Sequence, residues 1–451
     1  MKHNILKSFV FGFGVLAMAS CADSLDDIKP KDKIDAGALT EADLTKVVNG
    51  VYATMESHVA AMWWDGDAMG ENFRSGPGGN LTDPLDMSPS TSSVKSRWNN
   101  CFTSLKQVNF LIENFESNSN PNSSVVRTAG GTGYFFRALI YYNVVTRWGK
   151  APILPKRTYD VVPLSEEADV WKFITDDLTK AESLLPEFSD RFYVSIAACN
   201  ALQARVYLAL KQYDKAVTYA DKVINNQSLS LTKNSTDWAK MFIYNSNSPE
   251  LVFALANKRT SSTILFYQYV NDVDGSWNYS ATHDIYANLY NDNASKSGDI
   301  RGNAVFGSDA TRIIKYPNGQ PGQFIVNETP SQTPIPVLRL AEIYLIKAEA
   351  QGASAGLSTL KSFMNTRYAS VTLPTSMSAT DFQNLILDER QRELYCEGFR
   401  WYDLKRTGRL DLFKTLNGRT HLMYWPIPQT EIDLAGSTNY PQNPGYGASD
   451  K

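Results

Sequence analysis

The sequence predicts a mainly α protein, a scaffold of helix pairs that carries one long-looped, irregular half. Two observations predict it. Apolar residues recur with helical period in segment after segment, and several of these segments come as adjacent pairs. Between them lie stretches without that period, about 60–97, 231–334 and 409–451, where Gly, Pro, Asn and Ser cluster around scattered aromatics. Loops this long in a compact domain are usually functional. The 451 residues are 43% hydrophobic and include 9 Trp, 23 Tyr and 21 Phe, enough for a large core.

The elements follow in order. Lys2 and Lys7 precede an apolar run from Phe9 to Ala19, then Ser20 and Cys21. The run is too short to span a bilayer as a mature helix. Residues 1–20 read as a secretory signal peptide. Cys21 after Ala19-Ser20 resembles a bacterial lipobox, with Met18 where Leu is usual, and makes Cys21 the lipidated mature N-terminus. Residues 21–40 are polar and read as a tether that cannot bury enough to fold alone. A single domain over 41–451 then contains helix pairs at about 41–58/98–118, 133–149/169–186, 195–211/214–225 and 336–352/355–368. In 98–115, Phe102, Leu105, Val108, Asn109 and Ile112 share one face. In 336–352, Val337, Leu340, Ala341, Tyr344, Leu345 and Ala348 form one stripe. The pair 195–224 is similar to a tetratricopeptide repeat: Ala204, Ala216 and Ala220 are small where paired helices approach, and Tyr207 follows Ala204 by three. The pair 338–368 is a looser copy.

Composition excludes several classes. With 44 basic and 47 acidic side chains the formal net charge is −3, which gives no footing for nucleic acid. His3, His58, His283 and His421 are dispersed, and no Cys-x-x-Cys or His-x-x-x-His pair occurs, so usual transition-metal spacings are absent; oxygen-ligated calcium is not excluded. No cofactor is implied. Cys101, Cys199 and Cys396 form no disulfide framework and read as buried small hydrophobes. Gly352–Gly356, "GASAG", matches a nucleophile elbow, but a helix rather than a strand precedes it, so Ser354 falls in a turn between helices.

The densest charge lies in "ILDERQRELYCEGFRWYDLKRTG", residues 386–408. On a helix, Glu389, Glu393 and Glu397 fall on one face, flanked by Arg390 and Arg392. Three like charges in a row need cations from elsewhere. Arg339 on the 336–352 helix is one partner candidate, with Arg400 and Arg406. Hydrolysis would need two carboxylates in different environments across a cleft, and a regular row does not offer that. Structural ion pairing by Glu389, Arg390, Glu393, Glu397, Arg400 and Asp403, with no catalytic residue, is the reading.

The same stretch resembles the ER-x-x-E-L-x-x-E-G-x-R-x-x-D-L-x-R signature of the SusD/RagB family of outer-membrane nutrient-uptake lipoproteins. Glu389, Arg390, Glu393, Leu394, Glu397, Gly398, Arg400, Asp403, Leu404 and Arg406 all fit. "YWPIPQTEI" (424–432) and "YPQNPGY" (440–446) look like that family's closing motifs, and 98–112, 137–154 and 338–350 are similar to its helical landmarks. Asp23, Asp26 and Asp27 look like the acidic signals that send Bacteroides-type lipoproteins to the cell surface. The resemblance implies a tetratricopeptide-type scaffold and a non-catalytic glycan-binding lipoprotein, held to the outer membrane by its N-terminal lipid and seated over a SusC-like TonB-dependent transporter. It also implies that the acidic signature is scaffold.

No ligand residue transfers by motif. Sugars offer apolar faces to flat aromatics and hydroxyl rims to polar side chains, so loop aromatics are the informative ones. "MWWDGDAMGENFRSGPGGN" (62–80) supplies Trp63, Trp64, Asp65, Phe73 and Arg74; "DGSWNYSATHD" (274–284) supplies Trp277, Asn278 and Tyr279. Buried loop packing is the competing reading for each aromatic. A peptide or other nutrient as ligand, and a protein-interaction lid with no ligand site, are the alternative functions; a glycosidase lacks a catalytic constellation.

Overall fold

The computed structural model describes residues 39–75, 87–242, 248–257, 279–306, 313, 315–316, 334–413, 416 and 418–447, without the side chains of 64, 75, 279 and 280. The expected signal peptide and residues 21–38 of the expected tether lie outside them, while Leu39 and Thr40 belong to the fold. The first half is helical. Thr40 caps α1 (Glu41–Met69) by accepting from Asp43 N at 3.2 Å. A short strand, β1 (Phe73–Ser75), follows. Next come α2 (Ser92–Glu116) and α3 (Ser124–Trp148), then a hairpin of β2 (Ala151–Pro152) with β3 (Leu164–Ser165). Helices α4 (Glu167–Leu184), α5 (Ile196–Ala209) and α6 (Tyr213–Ile224) complete this half. Each helix packs on the one before it. α1 and α2 run antiparallel, as contacts at Glu41–Asn120, His58–Asn100 and Asp65–Arg97 show along their length.

α3 is buried nearly all round. Its run "AGGTG" explains how. A Cβ at Gly130 would stand 2.5 Å from Phe115, and one at Gly133 would stand 2.7 Å from Ile112. Glycine there weakens helix propensity by about 0.5–1 kcal/mol, and the close packing of α2 offsets it. In α5 and α6, Ala204, Ala216 and Ala220 are fully buried at the helix contact.

The second half is built of short pieces: α7 (Ser235–Lys240), β4 (Leu251–Leu255), β5 (Tyr279–Ala281), α8 (His283–Asn288), β6 (Lys296–Asp299), α9 (Gly302–Phe306) and β7 (Ile335–Arg339). Then come α10 (Leu340–Met364), β8 (Tyr368–Val371), α11 (Ala379–Glu393), α12 (Arg400–Thr407) and α13 (Gln429–Ala435). All sheets among the described residues are antiparallel pairs: β1–β5, β2–β3, β4–β7 and β6–β8. α10 packs on α6 and joins the halves. Among the described residues no helix is long and apolar enough to cross a membrane.

The boundaries that differ from the sequence expectation include the start of α3, at Ser124 instead of 133, and three more. α1 continues to Met69 instead of ending near 58, because Val59, Met62, Trp63 and Met69 carry its buried stripe onward. Residues 335–339 form a strand fully buried along its length, not the start of a helix; a short apolar run does not distinguish the two. Between Ala348 and Gly356, Gly352 adopts φ 68°, which breaks α10 into two helical pieces. Ser354 is exposed just after that break, with helix on both sides.

Candidate functional site

α11 ends at Glu393. The next residues turn through Cys396 (φ 63°) and Gly398 (φ 81°), so Glu397 leaves the helix and the expected three-residue row on one helical face does not form. The turn is held against α1 with backbone on backbone. A Cβ on Gly398 would stand 2.6 Å from Trp63 Cα, and one on Gly66 would collide with Gly398 O. Glycine is required at both places, and this accounts for the Glu-Gly step of the signature.

The carboxylates sit in a buried ionic core. Glu393 receives Arg339 Nη1 at 2.8 Å, and Arg367 Nε and Arg301 Nη1 at 2.9 Å each. Glu397 receives Arg339 Nη2 and Lys315 Nζ, both at 2.6 Å. Glu389 accepts from Tyr368 Oη at 2.7 Å and lies 2.8 Å from Arg301. Glu250 accepts from Arg367 at 2.5 Å and from Thr232 N at 2.9 Å. Burial pushes the Glu393 carboxyl upward, but Arg367, Arg339 and Arg301 outweigh it and hold it well below the usual carboxylate range. A general acid needs the reverse shift. Arg339 therefore does meet the row, though from the end of β7. Arg400 and Arg406 do not: Arg400 reaches Leu387 O at 3.5 Å, and Arg406 pairs with Asp403 (2.8 Å) and Glu349 (2.5 Å). Arg390 also binds Asp403, at 2.7 Å. Among the described residues no group of three or more His, Cys, Asp or Glu is placed to hold a metal ion.

Above this core the two loop stretches singled out by their aromatics are joined. β1 pairs with β5 in the register Phe73↔Ala281, Arg74↔Ser280 and Ser75↔Tyr279. Asn72 anchors the ribbon. Its carbonyl accepts from Thr282 N (3.3 Å) and Tyr395 Oη (3.2 Å), and its side chain binds Gln391 (2.9 Å) and Asp67 (2.5 Å). Asp67 also accepts from Gly398 N at 2.5 Å, so it ties ribbon to turn; burial pushes its carboxyl up to about 7. Phe73 packs edge-on against Tyr395, whose ring touches Phe306, and Tyr286 of α8 packs on Phe306.

The ligand candidates separate accordingly. Arg74 is exposed on the ribbon. Phe73 is buried beneath it, because alternate strand residues face opposite sides. Trp63 is buried against Tyr316 and the Gly398 turn. Asp65 is buried between Arg97 (2.9 Å) and Arg147 (3.4 Å). None of these three ligand candidates is open to solvent: α1 extends through 63–65 and turns Trp63 and Asp65 inward, and Phe73 faces the core from β1. Trp64 lies on α1 and Tyr279 opens β5, their side chains outside the description; Trp277 and Asn278 lie outside the described residues. Exposed His283, Asp284 and Tyr286 lie on α8 next to the ribbon, a six-residue helix that carries too little period to be found in the sequence.

Two family models match the chain. One, described as the SusD family, covers residues 225–421; the other, described as starch-binding associating with outer membrane, covers residues 23–208. A SusD-like protein, P2, of Formosa agariphila is 26% identical over 90% of this chain and 93% of its own length. A SusD superfamily structure from Bacteroides thetaiotaomicron superposes with a TM-score of 0.72 at 21% identity, covering 90% of this chain and all of that one. A structure described as with xylogluco-oligosaccharide has a TM-score of 0.70 at 19% identity, covering 87% of this chain and 98% of that one.

Proposed function

Because the chain belongs to the SusD/RagB family, we propose that it is a non-catalytic, surface-exposed outer-membrane lipoprotein that binds an oligo- or polysaccharide and delivers it to a SusC-like TonB-dependent transporter. The observation that carries the glycan reading is the β1–β5 pairing, which sets the two aromatic-rich stretches side by side on one anchored ribbon with Arg74 exposed. In this reading Trp277, Trp64 and Tyr279 supply apolar faces to the sugar, and Arg74 and Asn278 supply hydroxyl contacts. The family description as starch-binding and the xylogluco-oligosaccharide in a structural neighbour support a sugar as ligand. The neutralised carboxylates of the ionic core support a strut instead of a hydrolytic pair. Cys21 carries the lipid, and residues 21–38 are the tether, which ends where Leu39 and Thr40 join the fold.

Calorimetry of the protein without its signal peptide against a panel of polysaccharides tests the binding. One glycan should bind saturably; a panel without any binder points to the second reading, a lid without a ligand site, which the burial of Trp63, Asp65 and Phe73 favours. Membrane fractionation of Cys21→Ser tests the anchor. The variant should leave the outer membrane when the transporter is absent, and retention there would contradict it.

A further inference from the structure

Where the two halves meet, residues of α1, α3, α5, β7, the Gly398 turn and α12 line a cavity of about 50 Å³. This admits a few species of water size. Small-molecule pockets start at roughly 300 Å³, so a sugar or a peptide does not fit. One wall is apolar and includes Met62 and Leu139; the other is polar and is headed by Arg147, Arg205 and Tyr402.

The charge of Arg147 is poorly met. This side chain is buried, and Asp65 lies 3.4 Å from its Nε. Both Asp65 oxygens, however, already accept from Arg97 Nε, at 2.9 and 3.0 Å. The other Arg147 bonds go to neutral carbonyls, Asn143 O at 3.0 Å and Met62 O at 2.8 Å. Arg205 is paired with Glu342 through Nε (2.7 Å) and Nη2 (2.6 Å), and Nη2 also reaches Val337 O. Its Nη1 carries two further N–H groups. The guanidinium groups of Arg97, Arg147 and Arg205 thus face two carboxylates, Asp65 and Glu342. Glu397 also lines the cavity, but Arg339 and Lys315 occupy its oxygens. The Tyr402 hydroxyl is buried without a hydrogen-bond partner among the described residues, and Arg147 lies 5.0 Å over its ring. A buried cation in excess and an unpartnered buried donor are each costly. Water answers the hydroxyl alone, whereas an anion answers both.

We propose that this cavity binds one small monovalent inorganic anion of the halide class, held by Arg147, Arg205 and the Tyr402 hydroxyl, and that the anion closes the seam between the halves. The site is independent of the glycan reading. The test is thermal melting of the protein without its signal peptide in sodium bromide or sodium chloride against sodium gluconate at constant ionic strength. Crystals soaked in bromide and measured at the bromine absorption edge locate the ion. Either halide should raise the melting temperature saturably, by roughly 2–3 °C. An anomalous peak should lie among Arg147, Arg205 and Tyr402. Tyr402→Phe removes only the unpartnered hydroxyl. It should melt in gluconate no lower than the wild type and bind halide about tenfold more weakly. Water density in the cavity without an anomalous peak overturns the proposal. A peak without a saturable rise marks an adventitious ion only and overturns it equally. A halide response that Tyr402→Phe leaves unchanged, midpoint included, overturns the site as assigned.

Discussion

In α1–α6, apolar stripes and small residues bury long, regular helices whose backbone groups satisfy one another. Among the described residues from 231 onward, short strands and turns run between the longer helices α10 and α11, and several buried carbonyls there have no backbone partner within a helix. Cationic side chains do that work: Arg367 donates to Thr232 O (2.7 Å), Arg339 to Glu393 O (2.9 Å), Lys315 to Tyr395 O (2.6 Å) and Arg392 to Leu289 O (2.7 Å). Each buried cation then needs an anion, and Glu250, Glu389, Glu393 and Glu397 supply them. Irregular backbone in a core thus requires a charge network, since unpaired buried groups are costly. The dense acidic motif of this half is placed against those cations.

The comparison breaks first at Glu393. Glu393→Gln leaves Arg301, Arg339 and Arg367 short of a counter-charge, and urea unfolding should show a loss of about 3–5 kcal/mol. Ligand affinity in the folded fraction should persist. A variant of full stability would show that the second half does not depend on its ionic core. The seam between the halves comes next. Gly398→Ala adds a Cβ against Trp63 Cα in a left-handed turn. Overpacking costs about 1–3 kcal/mol and the backbone roughly 1 more. Thermal melting should fall accordingly, and an unchanged Tm would mean that α1 and the turn are not in backbone contact.

A smaller effect is expected from Asp67, which spans the same seam. Its folded carboxyl is raised to about 7 from 3.8, with burial the leading cause. The folded state therefore holds this proton where the unfolded chain has released it. The stabilisation is complete below about pH 4 and is lost as pH rises to about 7. Asp67→Asn should flatten that part of the stability profile. Glu393, held low, acts in the opposite sense and loses its contribution in acid. The smallest effect on the fold is expected at Arg74. Arg74→Ala should change stability by less than about 0.5 kcal/mol, as exposed positions do, while weakening glycan binding measured by calorimetry.

The first half was largely legible because period 3.6 is a local signal, and Ala204, Ala216 and Ala220 read correctly as a close helix contact. The pairing of Arg339 with the glutamates was legible from charge alone. Arg301, Lys315 and Arg367 were not, since no spacing connects them to Glu393 and Glu397. The positive φ of Cys396 and Gly398 that lifts Glu397 off the helix was equally hidden. So was the β1–β5 ribbon, whose strands lie some two hundred residues apart and are three residues long. Glycine-rich sequence around 62–80 suggested a loop, whereas Gly66 lies in α1 and serves its contact with the Gly398 turn.

The most direct test of the account is the affinity of Trp277→Ala for the glycan that the wild-type protein binds, measured by calorimetry beside thermal melting. The proposed function gives this side chain an apolar contact with the sugar. It predicts a loss of about 1–3 kcal/mol in binding with an unchanged Tm. Unfolding without a specific loss of affinity would contradict it and make Trp277 a core residue.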